Sequence, residues 1–332
     1  ACPEHLKKRF ISLNNKAKVY LQTFHSAKVN LQDVCFYDLV PEKFLLDFYE
    51  IKNDITRFIF ENYQKPKNYE FLKELTFFLK RIEQRQINLD MSSLNFSADS
   101  SDGASKLKDC KNNISYNPWG TVTGRLTTNK ASFPILTLNK KLRGCVKPQN
   151  DVFVELDFNA AELRVLLGLL GEEQPDNDIH VWIGKNVFDD KFSREKVKKK
   201  VFAWLYNPKS HNKKLDACLN RDKLYDEYFV DEKVFTPFER TIPVSKDKAV
   251  NYLIQSTASD MLLTSALNVD KMLKQKRSFV SFCIHDSVVI DMSFEDREIV
   301  ESLKETFSKT MFGSLRTNIS LGKDFGTMEK IL

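Results

Sequence analysis

The sequence predicts a mixed fold, α/β or α+β, on three observations. Helical periodicity fills residues 1–92. The run "DVFVELDF" (151–158) alternates and is rich in Val and Phe, and "SFVSFCIHDSVVIDMS" (278–293) reads as a β-hairpin. Helical stretches separate these strands by long intervals of chain. At 332 residues the chain exceeds the roughly 250–300 residues at which a single core stops growing.

Each element follows from its own pattern. "PEKFLLDFYEIKNDITRFIFENY" opens on Pro41, suited to a first helical turn. It spaces Phe44, Leu45, Phe48, Ile51, Ile55, Phe58 and Ile59 at three and four residues. Pro66 breaks the pattern, and "NYEFLKELTFFLKRIEQRQI" repeats it. These Phe residues are expected in a core between packed helices. Residues 93–114 are polar and rich in Ser, Asp and Asn, a connector. After the strand 151–158, "AAELRVLLGLL" is an apolar helix and "SREKVKKKVFAWLY" (193–206) a charged amphipathic one. Residues 215–243 read as irregular or short helices, with Pro237 and Pro243 as breakers. "KAVNYLIQSTASDMLLTSALNVDKML" is a long helix, "DREIVESLKETFSKTMF" another, and "TNISLG" a final strand.

Composition narrows the class. No apolar run approaches the ~20 residues needed to span a bilayer, and "ACPEHLKKRF" has no apolar signal-peptide core. No membrane partner is expected. None of the six cysteines stands in a Cys-x-x-Cys spacing, which disfavours a zinc site or disulfide framework and suits an intracellular, reducing compartment. Net charge is +6, with basic residues gathered in "SREKVKKK" and "NPKSHNKK". Such runs are solvated helix faces or phosphate-binding surfaces.

Two acids stand out. Asp157 ends a predicted strand and Asp286 sits at a predicted turn, each beside apolar sequence, so each is expected at the edge of a buried sheet. They are ordinary strand-end acids, an acid/base pair for hydrolysis, or ligands for a divalent metal such as Mg²⁺. Spacing alone does not choose. Arg194, Lys198, Phe202 and Tyr206 recur every four residues. On a helix they form one stripe of roughly 18 Å, from two cations to two aromatics. That is an aromatic core face, or a match to a nucleoside triphosphate with phosphates at one end and a flat base at the other.

The segments "GTVTGRLTT", "LDFNAAELRVLLG", "DIH", "SREKVKKKVFAWLY", "NYLIQSTASDM" and "CIHDSVV" occur in this order. Together they resemble the bacterial DNA polymerase I family, family A of the DNA-dependent DNA polymerases, over about residues 115–332. Its motifs are Asp-Tyr-Ser-x-x-Glu-Leu-Arg around Asp157, Arg-x3-Lys-x3-Phe-x3-Tyr-Gly on the fingers helix, and His-Asp-Glu at the hairpin. The resemblance implies an α+β right-hand architecture: a palm with an antiparallel sheet, mostly helical fingers and a reduced helical thumb. It divides the chain into a thumb-like region 1–92, a connector 93–114, a first palm part 115–171, shortened fingers 172–247 and a second palm part 248–332.

The implied reaction is addition of dNTPs to a primer 3′ end by two-metal-ion nucleotidyl transfer. Asp157, Asp286 and the Phe158 carbonyl would hold two Mg²⁺, with Mn²⁺ as a substitute ion. Lys198 and Arg194 would grip the triphosphate, Lys198 also as a general acid, and His180 would contact the β-phosphate. Phe202 resembles the residue packing on sugar and base, and Tyr206 the aromatic at the fingers hinge. Glu162 resembles the steric gate that excludes a ribose hydroxyl. Its bland alternative is a helix-surface acid paired with a neighbour. Arg125, Asn251 and Gln255 resemble contacts to the minor groove of the primer-template end, and His285 a neighbour of the primer terminus. The alternatives are a non-catalytic DNA-binding relative and a metal-dependent nuclease. Retention of Asp157, Lys198 and Asp286 disfavours the first, and the second, which would use the acidic pair, does not explain the Arg194–Tyr206 stripe or Glu162.

The chain departs from the family pattern in places. Ser287 stands where the family has Glu, Asn207 replaces Gly after Tyr206, and Ala160 and Ala161 replace larger residues. "SFPILTLNKK" lacks the Asn-x-Gln-Asn pattern expected after the Arg125 segment. No acidic exonuclease motif is read in residues 1–114, so proofreading, if any, would need another chain, such as a separate exonuclease subunit, or a missing segment, and a processivity subunit is a further candidate partner.

Overall fold

The computed structural model describes residues 2–30, 34–90, 92, 107, 110–207 and 210–331. The expected connector 93–114 falls mostly outside these residues. The chain forms two compact units, Ala1–Lys67 and Asn68–Leu332. The expected thumb-like region 1–92 thus spans the first unit and the start of the second.

The first unit is built on helices α1 (Glu4–Ser26) and α2 (Glu42–Asn62), packed on each other. Its small core comprises Leu13 and Ala17 from α1, Val40, and Phe44 and Ile51 from α2. Leu13 and Ala17 lie four residues apart and Phe44 and Ile51 seven, so each pair lines one helix face. Pro41 caps α2 from just outside it, where a missing N–H costs no helical bond.

The second unit begins with α3 (Tyr69–Gln84) and centres on a five-stranded sheet. Its strands are β1 (Val152–Phe158), β2 (Phe279–Ile284), β3 (Ser287–Met292), β4 (Thr317–Gly322) and β5 (Glu329–Lys330), in spatial order β5-β4-β1-β3-β2. Every pairing is antiparallel. The helices α4 (Ala161–Leu170), α5 (Ile179–Asn186), α6 (Arg194–Tyr206), α7 (Lys213–Cys218), α8 (Arg221–Tyr228), α9 (Lys246–Met272) and α10 (Val300–Ser308) complete it. The architecture is α+β.

Alternation along β1 sends Val154, Leu156 and Phe158 to one face and Phe153, Glu155 and Asp157 to the other. Phe158 stacks on Phe307 of α10, ring centroids 4.2 Å apart, so the first face is packed under helices. The other face carries the acids. Register fixes their neighbours: Asp157 lies opposite Ser287 on β3 and Asn318 on β4. The acid expected at a sheet edge therefore sits near the end of the central strand.

The structure adds detail where sequence pattern was thin. Residues 229–243 form a three-stranded ribbon, Phe229–Val230, Lys233–Phe235 and Thr241–Pro243, and not only irregular chain. The expected helix at 296–312 is α10 preceded by a 3-10 turn, Phe294–Ile299, and followed by a short ribbon. Asn207, which stands where the family has Gly, ends α6 in extended backbone with φ −104. The six cysteines form no disulfide among the described residues. No helix among them is long and apolar enough to cross a membrane.

Candidate active site

Two chain segments deliver the acids. β1 carries Asp157 toward its end, and the two-residue turn between β2 and β3 carries His285 and Asp286. The turn is closed by pairing of Ile284 with Ser287, and His285 takes φ 51, a left-handed conformation that His adopts more readily than most residues. The Phe158 amide donates to the Asp286 carbonyl at 3.3 Å, tying the turn to the end of β1. Burial pushes the Asp157 carboxyl up to about 6; a 3.1 Å hydrogen bond from Asn318 Nδ2 opposes the rise, and the charges of Glu155 and Asp286 add to it. Burial also raises Asp286, against Arg125 and His285.

Two partly buried carboxylates, each with its proton affinity raised by desolvation, leave negative charge that a cation would relieve. Among the described residues no group of three metal-ligating side chains gathers. Mg²⁺ does not require one: it commonly takes one or two carboxylates and completes its shell with water and substrate phosphates. The donor set of Asp157 and Asp286 fits that pattern.

A cavity of about 620 Å³ opens beside the acids, and Arg125, Glu162, Phe202, Gln255, His285 and Asp286 are in its wall. Glu162, at the start of α4, is 8% exposed and pairs with the Arg125 guanidinium. Burial outweighs the half-exposed Arg125 and pushes the Glu162 carboxyl up to about 7. Glu162 is thus a buried acid paired with Arg125, and not a helix-surface acid. Ala160, with φ 54, turns the chain from β1 into α4. Gly124 presents Arg125. Its φ is +75, and a Cβ there would lie 2.5 Å from the Arg240 guanidinium, so only glycine fits. Arg240 in turn is held by the fully buried Asp260 of α9 through bonds of 2.7 and 2.9 Å.

On α6 the four-residue stripe is continuous. Phe202 and Tyr206 stack at 5.5 Å with rings 10° apart, and the Lys198 ammonium lies 5.9 Å from the Phe202 centroid. Among the described residues Lys198 makes no ion pair. Arg194 binds Asp178 at 2.8 Å and Glu195 at 2.9 Å. His180, on α5, is buried with its ring 6.0 Å from Phe202 and its Nδ1 without a partner among the described residues. Burial lowers its basicity, with Asp178 opposing the shift and Arg194 and Lys198 adding to it, which favours the neutral imidazole. Of the basic runs, Lys196 and Lys200 lie over the Phe192 ring and Lys214 pairs with Asp189, while Pro208 and Lys209 fall outside the described residues.

The expected residues do not all meet in one hollow. Tyr206 and Asn251 line a second cavity of about 440 Å³ with Arg221, Tyr225 and Tyr252. Gln255, in the first cavity, donates to Asn251 Oδ1 at 2.8 Å and bridges the two.

Several contributors were not singled out in the sequence. Ser287 Oγ donates to Glu155 Oε1 at 2.7 Å, so a third carboxylate stands near Asp157 on the same strand face. The period of two from Glu155 to Asp157 was a usable signal. Asp178 accepts from Arg194, from Asn159 Nδ2 at 3.1 Å and from the His180 and Val181 amides, capping α5. Burial works against ionisation, yet these donors hold its carboxyl well below the usual range. Fully buried Arg164 bonds the carbonyls of Asn159, Pro175 and Asn177, pinning the loop before Asp178.

No protein-family model matches the chain. DNA polymerase I of Chloroflexus aurantiacus is 24% identical over 264 residues, covering 64% of this chain and 28% of that protein. The POL domain of Pol1 from M. smegmatis, solved in complex with DNA primer-template and dNTP, superposes with a TM-score of 0.55 at 14% identity, over 89% of this chain and 55% of that one. The chain is similar to the polymerase domain of family A DNA polymerases. It spans just over a quarter of the length of the curated relative and about half of the solved chain. Within this family A-like fold, the acids of β1 and the β2–β3 turn stand at one end of the antiparallel sheet.

Proposed function

We propose that the chain is a template-directed DNA polymerase that extends a primer 3′ end with dNTPs. The observation that carries this reading is the cavity into which Arg125, Glu162, Phe202, Gln255, His285 and Asp286 converge from distant segments, on a fold similar to a polymerase domain. Asp157, Asp286 and the Phe158 carbonyl would hold two Mg²⁺, or Mn²⁺ in their place, which when bound activate the 3′-hydroxyl and neutralise phosphate charge.

The chain's own residues do the rest. Arg194 and Lys198 bind the triphosphate, and fixed cations there stabilise charge developing in the transition state. Arg194 leaves Asp178 or shares it as phosphate arrives. Lys198 supplies a proton to the departing pyrophosphate. His180, neutral in its buried site, donates to the β-phosphate. Phe202 packs on the sugar and base, and Tyr206 lies by the template base. Glu162 fills the space under C2′, held in place by Arg125, so a ribose hydroxyl has no room. Arg125, Asn251 and Gln255 meet minor-groove acceptors that are nearly the same for every base pair, and so sense pairing and not sequence. His285 stands beside the primer end. Proofreading is not among the roles these residues supply.

Primer extension with all four dNTPs and Mg²⁺ tests the reading, with a chelator control that should stop synthesis. Tight duplex binding without extension would point to a non-catalytic relative. Degradation of the primer without synthesis would point to a nuclease.

A further inference from the structure

Tyr116 is 6% exposed, yet its hydroxyl is not idle. The Oη donates to the Cys283 carbonyl at 2.6 Å and accepts from the Cys283 amide at 3.1 Å. Cys283 belongs to β2, the edge strand of the sheet, and lies two residues before His285. An edge strand leaves alternate N–H and C=O groups without a neighbouring strand. One phenol here satisfies both groups of one residue, in place of a sixth strand. Burial raises the phenol's pKa well above its ordinary value, so it stays a donor.

The other end of the contact matters as much. Tyr116 lies in the strand Tyr116–Asn117, which pairs with Thr127–Thr128. The loop between those strands carries Gly124 and Arg125, and Arg125 grips Glu162. One side-chain oxygen therefore couples the ribbon that presents Arg125 to the strand that ends in His285 and Asp286. Packing alone would be served by Phe, and a buried hydroxyl is costly unless paired.

We propose that Tyr116 is a positioning residue that sets the Asp286 turn relative to Arg125 through its two bonds to Cys283. It acts through Asp286 and touches no substrate itself. The assignment rests on the polymerase reading only for its consequence for rate.

The test is Tyr116→Phe, which keeps the ring and deletes the oxygen. Ser132→Ala is the control: it removes another buried hydroxyl, which accepts from the Ser115 amide at 2.8 Å and is not among the contacts of the hairpin. Amide hydrogen exchange, in the absence of DNA and metal, should show residues 283–287 exchanging at least about tenfold faster in Tyr116→Phe and unchanged in Ser132→Ala. Single-turnover incorporation at saturating primer-template and dNTP should fall about tenfold or more in Tyr116→Phe, as sub-ångström misplacement of a reacting group does, with duplex affinity within about twofold. Ser132→Ala should retain the native rate. Unchanged exchange at the hairpin, an unchanged rate, or an equal loss in Ser132→Ala would overturn the proposal. If the native chain extends no primer, the polymerase reading fails, while the exchange experiment still decides whether Tyr116 sets the turn.

Discussion

Replacing Glu162 by Gln isolates the electrostatics of the cavity. The folded protein raises this carboxyl from an ordinary value of 4.5 to about 7, chiefly by burial. At 1.36 kcal/mol per pKa unit, that shift corresponds to about 3 kcal/mol of lost stability once the group is ionised in both states. The sign follows from a folded pKa above the unfolded one. Below about pH 4 both states hold the proton and the penalty is absent. As pH rises from about 4.5 to 7 the unfolded chain releases its proton first, and stability falls. Above about 7 the penalty is constant. Glu162→Gln is neutral throughout, so the difference in stability between the two proteins should move by about 3 kcal/mol in favour of the variant between pH 5 and 8. Asp157 and Asp286 are also raised by burial, but they are present in both proteins and cancel in the comparison. Urea denaturation followed by tryptophan fluorescence provides the readout. Trp119, Trp182 and Trp204 all belong to the unit Asn68–Leu332, so the signal reports the unit that holds the cavity. Parallel pH profiles for the two proteins would refute the assignment of a raised pKa to Glu162.

Three further outcomes are expected. Asp286→Asn should reduce primer extension by about a thousandfold or more, the scale of losing a group that fixes charge in the transition state, while duplex affinity stays within about twofold; extension at the native rate would remove Asp286 from the metal site. Glu162→Ala should relax the choice of dNTP over rNTP by about tenfold or more, read from paired single-nucleotide incorporation rates, about 1.4 kcal/mol of lost discrimination. Arg240→Met strands the fully buried Asp260 carboxylate and should cost about 3–5 kcal/mol in urea denaturation, with most of that recovered when Asp260 is also made apolar.

Much of the site was legible because its local patterns are strong. Asp157 and Asp286 could be placed from apolar runs whose period of two fixes strand and turn. The α6 stripe could be placed from its period of four, and Phe202 and Tyr206 do stack. The ribbon at 229–243 was harder to read, because Pro237 and Pro243 suggest breaks. In the structure Pro243 lies on an edge strand of that ribbon, where a missing N–H need not interrupt a ladder. Glu155 was within reach, since it shares the Asp157 face by simple alternation, but its bond to Ser287 spans 132 positions and no local pattern reports it.

By itself the sequence determined the elements: short-range periodicity states which face of a helix or strand is apolar, and the acids fall where those faces end. It also determined that two carboxylates, a cation–aromatic helix and the segment holding Arg125 occur in one order along the chain. Only the tertiary structure decided which of them meet. Arg125 with Glu162, Asn318 with Asp157, Arg240 with Asp260 and Tyr116 with Cys283 are contacts over 37, 161, 20 and 167 positions. Each depends on how sheet register and helix packing bring remote segments together, and a single side chain's identity does not encode its distant partner. Burial is collective in the same way. It raises Glu162 and Asp157 and holds His180 neutral because surrounding segments exclude water, a condition set when the fold closes around them.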